Sequence, residues 1–314
     1  MDTSAIVSCT ARKRIGMTRT VLVPSSLVRE SRDKREATRK LGYVARAATV
    51  FRIDRLLVYP DPDGERRWDD GFVRTVLAYA ATPPYLRKEA WGRRDELECV
   101  GVLPPLRAVA QTGSESDGSG SLRQGIVTEV GPDGRVRVNC GLQHPVSLVV
   151  PPQMAVEEGE RVTIRVSSRR PLRARIVDEP LTGLSVWGEE LDTALSRDDA
   201  GVTIAASRHG EELDVARLGE LAPRVRDGFT VVFGSPERGL PEILGVHPPR
   251  VDPRDEQWSP ESDHESPGDD PDGTRSHEPA ARFDLWLNTV PHQGSEVVRT
   301  EEALFATLAC LNLR

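Results

Sequence analysis

Val231-Val-Phe-Gly-Ser-Pro-Glu-Arg-Gly-Leu-Pro-Glu242 is an apolar, β-branched run that stops abruptly in a Gly/Pro/Ser turn. A second segment of the same grammar lies near the C-terminus: Asn288-Thr-Val-Pro-His-Gln-Gly-Ser-Glu-Val-Val-Arg-Thr-Glu-Glu302. Each reads as a strand followed by a turn. Glycine lets the backbone approach a ligand closely, and proline fixes the turn. Two such turns at neighbouring strand ends can form one ligand pocket.

The surrounding sequence supplies the α/β frame. Thr20–Pro24 reads as a buried strand, 30–47 as a basic helix and 48–59 as a second strand, broken by Pro60-Asp-Pro-Asp-Gly64. Asp69 or Asp70 can cap a helix carrying Phe72, Val73, Val76, Leu77 and Ala80 at helical spacing. Strand and helix alternate again after residue 200: a strand at Val202–Ala206, a helix at Glu211–Arg226 with Pro223 near its end, and strands at Phe229–Phe233 and Phe283–Leu287. A terminal helix, Glu301–Asn312, is capped by Thr300 and places Leu304, Leu308 and Leu311 on one face. Such alternation predicts a mostly parallel sheet.

A different grammar interrupts it. After a Gly/Ser-rich run at 111–121 come five short β-type segments: Gly125–Val130, Arg135–Cys140, Pro145–Val150, Arg161–Val166 and Arg173–Val177. Basic and apolar residues alternate in Arg135-Val-Arg-Val-Asn139 and again from Arg161 to Val166, so one face is buried and the other positive. Five short strands suit a small OB-like barrel, a shape often used for RNA or single-stranded nucleic acid, or simply as a spacer. The expected organisation is an α/β domain made of 18–110 and 181–314, an inserted barrel at 122–178, and a low-complexity acidic loop at 251–280.

Charge and composition narrow the partners. Formal net charge is -7, yet residues 1–60 carry 13 basic and 5 acidic residues, and 122–177 carry 9 and 5. Residues 251–279 carry 2 and 10. An acidic protein that keeps two basic segments is fitted to a polyanion. Only four lysines occur among 42 basic residues, a composition that fits a halophilic source. No apolar run approaches the roughly 18 residues of a membrane span, and residues 1–18 lack the apolar region of a signal peptide. A cytoplasmic protein without membrane attachment is expected. Cys9, Cys99, Cys140 and Cys310 are dispersed, and the six histidines show no metal-ligand spacing, so no metal is expected. GxxxxGK[ST], GxGxxG after a strand, HExxH and GxSxG are all absent.

The two glycine segments resemble the signature segments of the SPOUT superfamily of RNA methyltransferases. The nearest branch is the archaeal and eukaryotic one with an OB-like barrel inserted in the α/β domain. Val23-Pro-Ser-Ser-Leu27, Arg35, Lys40-Leu-Gly-Tyr-Val-Ala-Arg46 and Phe51-Arg-Ile-Asp54 share that likeness. The acidic 251–280 insert departs from it. The resemblance implies a trefoil knot and S-adenosylmethionine bound in bent form by the knot loops. The matching positions are Gly234, Ser235, Gly239 and Leu240 in the first loop. In the second they are Thr289, Val290, Pro291, Gly294, Ser295, Val298 and Thr300. It implies a homodimer with contacts from the last helix, and ribosomal RNA as substrate, with uridine N3 as the family-level target. Candidate catalytic residues are Arg238, to hold a phosphate or polarise a base, Glu301, to orient Arg238 or accept a proton, and Arg299. Candidate RNA contacts are Arg35, Lys40 and Arg46 on the basic helix and Arg135, Arg137, Arg161 and Arg165 on the barrel. A non-catalytic RNA-binding or ribosome-assembly factor on the same fold, and a small-molecule methyltransferase, stay open on sequence alone.

Overall fold

The computed structural model describes residues 18–64, 68, 71–108, 121–179, 181, 183–246 and 282–313. The readings of residues 1–17, of the Asp69/Asp70 cap, of most of the Gly/Ser run and of the acidic 251–280 stretch lie outside these.

In chain order the larger unit opens with β1 (Arg19–Pro24), α1 (Lys34–Val50), β2 (Arg55–Tyr59), α2 (Phe72–Ala81) and α3 (Arg87–Trp91). The chain then forms β3 (Ser121–Val130), β4 (Arg135–Asn139), β5 (Val146–Val149), β6 (Arg161–Arg169) and β7 (Leu172–Val177). It returns with β8 (Ser185–Gly188), α4 (Leu191–Leu195), β9 (Val202–Glu212), α5 (Val215–Val225), β10 (Phe229–Phe233), α6 (Leu240–Leu244), β11 (Leu285–Asn288) and α7 (Thr300–Leu311).

Among the described residues, six strands form one sheet in the order β11-β9-β10-β1-β2-β8, every pair parallel. Both faces are covered, which is why β10 is buried at every position, Thr230 included, rather than at alternating ones. Val21, Val23, Leu56, Val231 and Ile204 pack with α1, α2, α5 and α7 on one side. Leu22, Leu57, Val232 and Ala205 pack with α4 and α6 on the other. Leu304, Leu308 and Leu311 of α7 are buried in the first of these cores.

Several boundaries differ from the sequence reading, each for a local reason. α1 starts at Lys34 because Asp33 accepts the Glu36 N–H (2.7 Å) while the Glu36 carboxylate accepts the Arg32 N–H (3.0 Å). It runs on to Val50 because Ala45, Ala47 and Ala48 are buried, so β2 begins only at Arg55. Glu211 and Glu212 extend β9 instead of opening a helix, since β11 pairs with them, and Asp214 then caps α5. Thr300 is the first helical residue of α7 rather than its cap. The Glu302 carboxylate accepts the Arg299 N–H (3.0 Å) at that end.

The second sheet is antiparallel, in the order β5-β4-β3-β6-β7. β5 and β7 approach each other, so the sheet nearly closes into a barrel. Its interior holds Val127, Val136, Val138, Leu148, Val162, Ile164, Val166 and Ile176. Gly125 faces inward, where a Cβ would stand 2.5 Å from Val138 Cγ1 and 2.7 Å from Ile164 Cδ1, so no larger residue fits this narrow barrel. All five strands of the sequence reading are present.

Candidate functional site

The site forms where the parallel strands end. In open parallel sheets ligands bind beyond the carboxyl ends of the strands. At the end of β10 the chain folds tightly back on itself. A Cβ on Gly234 would stand 2.5 Å from Leu240 N, so only glycine permits this closure. The Ser235 N–H and hydroxyl both donate to Arg238 O, at 3.0 and 3.1 Å. Beneath the turn, the Tyr59 hydroxyl donates to Phe233 O at 2.7 Å. Burial, reinforced by nearby Asp61, pushes that phenol well above its ordinary pKa, so it remains a donor.

Arg238 is buried, and carboxylates surround it. Its Nη1 lies 3.4 Å from Asp61 Oδ1, its Nη2 3.6 Å from Asp63 and its Nε 3.7 Å from Glu242. Asp61 is itself buried, and its Oδ2 accepts the Ser26 hydroxyl at 2.5 Å. The turns after β1, β2 and β10 thus meet in one Ser26–Asp61–Arg238 cluster. This committed guanidinium is a different environment from the open one expected of a group that grips substrate.

The second loop follows β11. Asn288 Oδ1 accepts the Val290 N–H (3.1 Å), and the Thr289 and Thr307 hydroxyls are 2.7 Å apart. Gln293 Nε2 donates to the carbonyls of Ser295 and Glu296, and Ser295 Oγ donates to Val297 O. Val290, Pro291 and Val298 are half-buried, and Gly294 and Ser295 are exposed. The space beside Gly294 is open: a Cβ there would meet nothing within 4 Å.

The strands that carry the two loops are not neighbours, because β9 lies between β10 and β11. The junction is made instead from α7: the Thr300 hydroxyl donates to Gly234 O at 3.0 Å. Gly234 and Ser235 of the first loop therefore meet Thr300 at the end of the second. Gly239 is the exposed residue preceding α6, while Leu240 is buried in the core.

A family model described as "Putative RNA methyltransferase" matches residues 18–311. The chain belongs to this SPOUT-type RNA methyltransferase family. It is 66% identical over 299 residues to an uncharacterised protein of Haloarcula marismortui, covering 95% of this chain and 99% of the relative. A Halobacterium salinarum protein is equally similar, 66% over 298 residues, with 95% and 99% covered. The human 28S rRNA (uridine-N(3))-methyltransferase is 26% identical over 327 residues, covering 94% of this chain and 77% of the human protein.

The remaining candidate residues of this methyltransferase fall into distinct environments. Arg299 is exposed at the mouth of α7. Glu301 is half-buried beside Thr300. Burial pushes its carboxyl above the ordinary value, against smaller opposing pulls from its own backbone N–H, Lys40 and Arg299. It does not orient Arg238, which belongs to Asp61. Arg35 is exposed. Lys40 is buried and paired with Glu30 at 2.5 Å, and Arg46 donates to Leu106 O at 2.5 Å, so both tie α1 to neighbouring chain. On the barrel, Arg135 and Arg137 are exposed, Arg161 is half-buried and bonded to Gln124, and Arg165 is buried against Glu179. Local alternation identified which residues point out of the barrel but not which of those are then covered.

Sequence reading did not single out Asp61, Ser26 or Tyr59 for the site. The signal was an aspartate between two prolines directly after an apolar strand, which reads equally as a turn.

Proposed function

We propose that this protein transfers a methyl group from S-adenosylmethionine to a base in ribosomal RNA, with uridine N3 as the target. The observation that carries the reading is the Thr300–Gly234 hydrogen bond, which makes two glycine-bearing loops one site at the strand ends. The printed activities of the human and mouse relatives, both 28S rRNA (uridine-N(3))-methyltransferases, support the choice of base.

The residues present fit the cofactor. The open space beside Gly294 would accept a ligand without displacing any side chain. Gly234, Ser235, Gly239, Thr289, Val290, Pro291, Gly294, Ser295, Val298 and Thr300 would hold it through loop backbone and short side chains, with Leu240 anchoring the first loop from the core. When bound, it supplies an electrophilic methyl group on sulfur. Uridine N3 carries a proton that must leave as the new N–C bond forms. Glu301 accepts that proton: burial makes its carboxylate a stronger base than an exposed one. Arg299, exposed at the loop's end, contacts substrate phosphate, as does Arg35. Arg238 and Lys40 act as positioning residues through Asp61 and Glu30.

The same proposal carries the trefoil knot, the division into a discontinuous α/β domain and an inserted barrel, a cytoplasmic site of action and a homodimer. Among the described residues no helix is long and apolar enough to cross a membrane. Since Leu304, Leu308 and Leu311 are used within the chain, the dimer contact is assigned to the neighbouring face of α7 and the 289–299 loop. Sedimentation should give a two-chain mass.

Calorimetric titration with S-adenosylmethionine tests the reading first, and absence of binding sinks it in favour of a non-catalytic RNA-binding factor. Mass spectrometry of ribosomal nucleosides from a deletion strain tests the base. The expected result is loss of one N3-methyluridine, and an unchanged nucleoside profile rejects the target.

A further inference from the structure

The outward-pointing residues of the barrel divide into a covered half and a bare half. On β3 and β6, Gln124, Ile126, Thr163 and Arg165 point away from the barrel core by strand register, yet all four are at most 5% exposed. Glu179 covers Arg165, and the α/β unit meets the barrel beside Gln124 and the end of β4. The Tyr85 hydroxyl donates to Gln124 O at 3.0 Å, and its ring lies against Gly141. Asn139 Nδ2 donates to Glu89 Oε2 at 2.9 Å. On the other half, β4, β5 and β7 present Arg135, Arg137, Ser147, Val149, Arg173 and Arg175, all exposed. Because β5 and β7 approach each other, these strands form one continuous surface.

That surface is basic, and its arginines are lightly committed. Arg173 and Arg175 have no ion-pair partner among the described residues, and Arg135 bonds only neutral Ser147 through its guanidinium. Arg137 alone is compensated, by Glu129 at 3.4 Å. Residues two apart on a strand stand about 7 Å from each other on the same face, so each pair offers its charges in a row. The barrel also carries no large aromatic platform: residues 121–179 contain no Phe, Tyr or Trp. Nucleic-acid-binding barrels commonly combine a positive groove with aromatic stacking platforms. Here only the first component exists.

We infer that the β4–β5–β7 face binds the RNA phosphate backbone through Arg135, Arg173 and Arg175, without reading bases. The barrel then supplies affinity and orientation, and selection of the nucleotide falls to the loops at the strand ends. This inference rests on RNA being the substrate and is independent of whether S-adenosylmethionine binds.

The test uses the full chain and short fluorescein-labelled oligo(U) and oligo(A), followed by anisotropy over a potassium chloride series. Whatever preference wild type shows between the two should be kept in Arg173→Ala/Arg175→Ala. Arg173→Ala/Arg175→Ala should flatten the slope of log affinity against log salt by about 1.4, roughly 0.7 for each lost phosphate contact on a single strand. Arg224→Ala/Arg226→Ala removes the same charge from exposed positions at the end of α5 and should leave the slope unchanged. Identical behaviour of the two double variants overturns the assignment. So does a base preference lost in Arg173→Ala/Arg175→Ala, or equal competition by polyglutamate, which would mark the face as a dock for acidic protein. Calorimetry with S-adenosylmethionine on the same variants keeps a failure of the methyltransferase reading separate from a failure of this one.

Discussion

Replacing Asp61 by Asn removes one charge from the junction of three strand ends and changes almost nothing else. Asn keeps the side-chain shape and an oxygen for the Ser26 hydroxyl, which now bonds Asp61 Oδ2 at 2.5 Å. What disappears is the attraction between Asp61 Oδ1 and Arg238 Nη1 at 3.4 Å. At that distance and an effective dielectric near 20, two unit charges attract by about 5 kcal/mol. Both side chains are buried, so the attraction offsets a desolvation cost that the arginine still incurs in the variant. Stripping one partner from such a pair typically costs about 3–5 kcal/mol. Asp63 and Glu242 cannot take over: they are farther, at 3.6 and 3.7 Å, and their side chains are 81% and 65% exposed. Screened partners of that kind contribute about 0–1 kcal/mol each. Asp61→Asn should therefore lose about 3 kcal/mol in urea denaturation at fixed potassium chloride, with an unchanged m-value. Because Arg238 belongs to the first loop, affinity for S-adenosylmethionine should fall as well. Asp61→Asn/Arg238→Met, which removes the stranded charge, should recover part of the lost stability but not the cofactor affinity. A loss below about 1 kcal/mol for Asp61→Asn, or strict additivity in the double variant, refutes the buried-pair argument.

Gly294→Leu should leave stability within about 0.5 kcal/mol, since a Cβ meets nothing within 4 Å, while weakening S-adenosylmethionine binding at least about tenfold in calorimetry. Unchanged affinity would discredit the pocket assignment. Thr300→Val deletes the hydrogen bond to Gly234 O and should cost about 1 kcal/mol in denaturation together with cofactor affinity. If stability falls and binding does not, the bond only packs α7. Glu301→Gln carries a pH signature. Burial raises the folded-state pKa above the ordinary 4.5, so between those two values the unfolded chain releases its proton first and folding weakens as pH rises. The variant should lack that downward trend and stay at least as stable at neutral pH while methyl transfer fails. A variant that keeps full transfer removes Glu301 from the chemistry.

β10 was legible to the residue because four of its five residues are apolar, as suits a strand buried on both faces. The barrel strands β4 and β6 were legible for the opposite reason, the period of two along Arg135–Asn139 and from Arg161 to Val166. The α7 face was legible from helical spacing, and Leu304, Leu308 and Leu311 are indeed core. Errors arose where a tertiary partner decided the outcome. Glu211 and Glu212 look helical until β11 pairs with them. Lys40 and Arg165 look like free charges until Glu30 and Glu179 cover them. Asp61 and Arg238 each sit in a turn rich in Pro or Gly, and nothing local says that the turns meet.

The sheet order gives α7 a role that neither loop has alone. With β9 between β10 and β11, main-chain pairing cannot bring the two loops into contact. The chain must leave the sheet edge and return over one face before it reaches Gly234. α7 makes that return and is held along its length. Thr300 bonds Gly234 at its start, Thr307 meets Thr289 in its middle, and Arg19 donates to Asn312 at its end at 2.8 Å. Leu304, Leu308 and Leu311 supply the apolar anchor between these contacts. Each polar contact contributes about 1 kcal/mol, too little to hold a free loop against its conformational entropy, whereas the buried leucines contribute about 1.5–3 kcal/mol apiece. The helix core therefore fixes where Thr300 stands, and Thr300 fixes where the first loop meets the second. Weakening the leucine face, for instance by Leu308→Ala, should open the site without touching any residue that lines it.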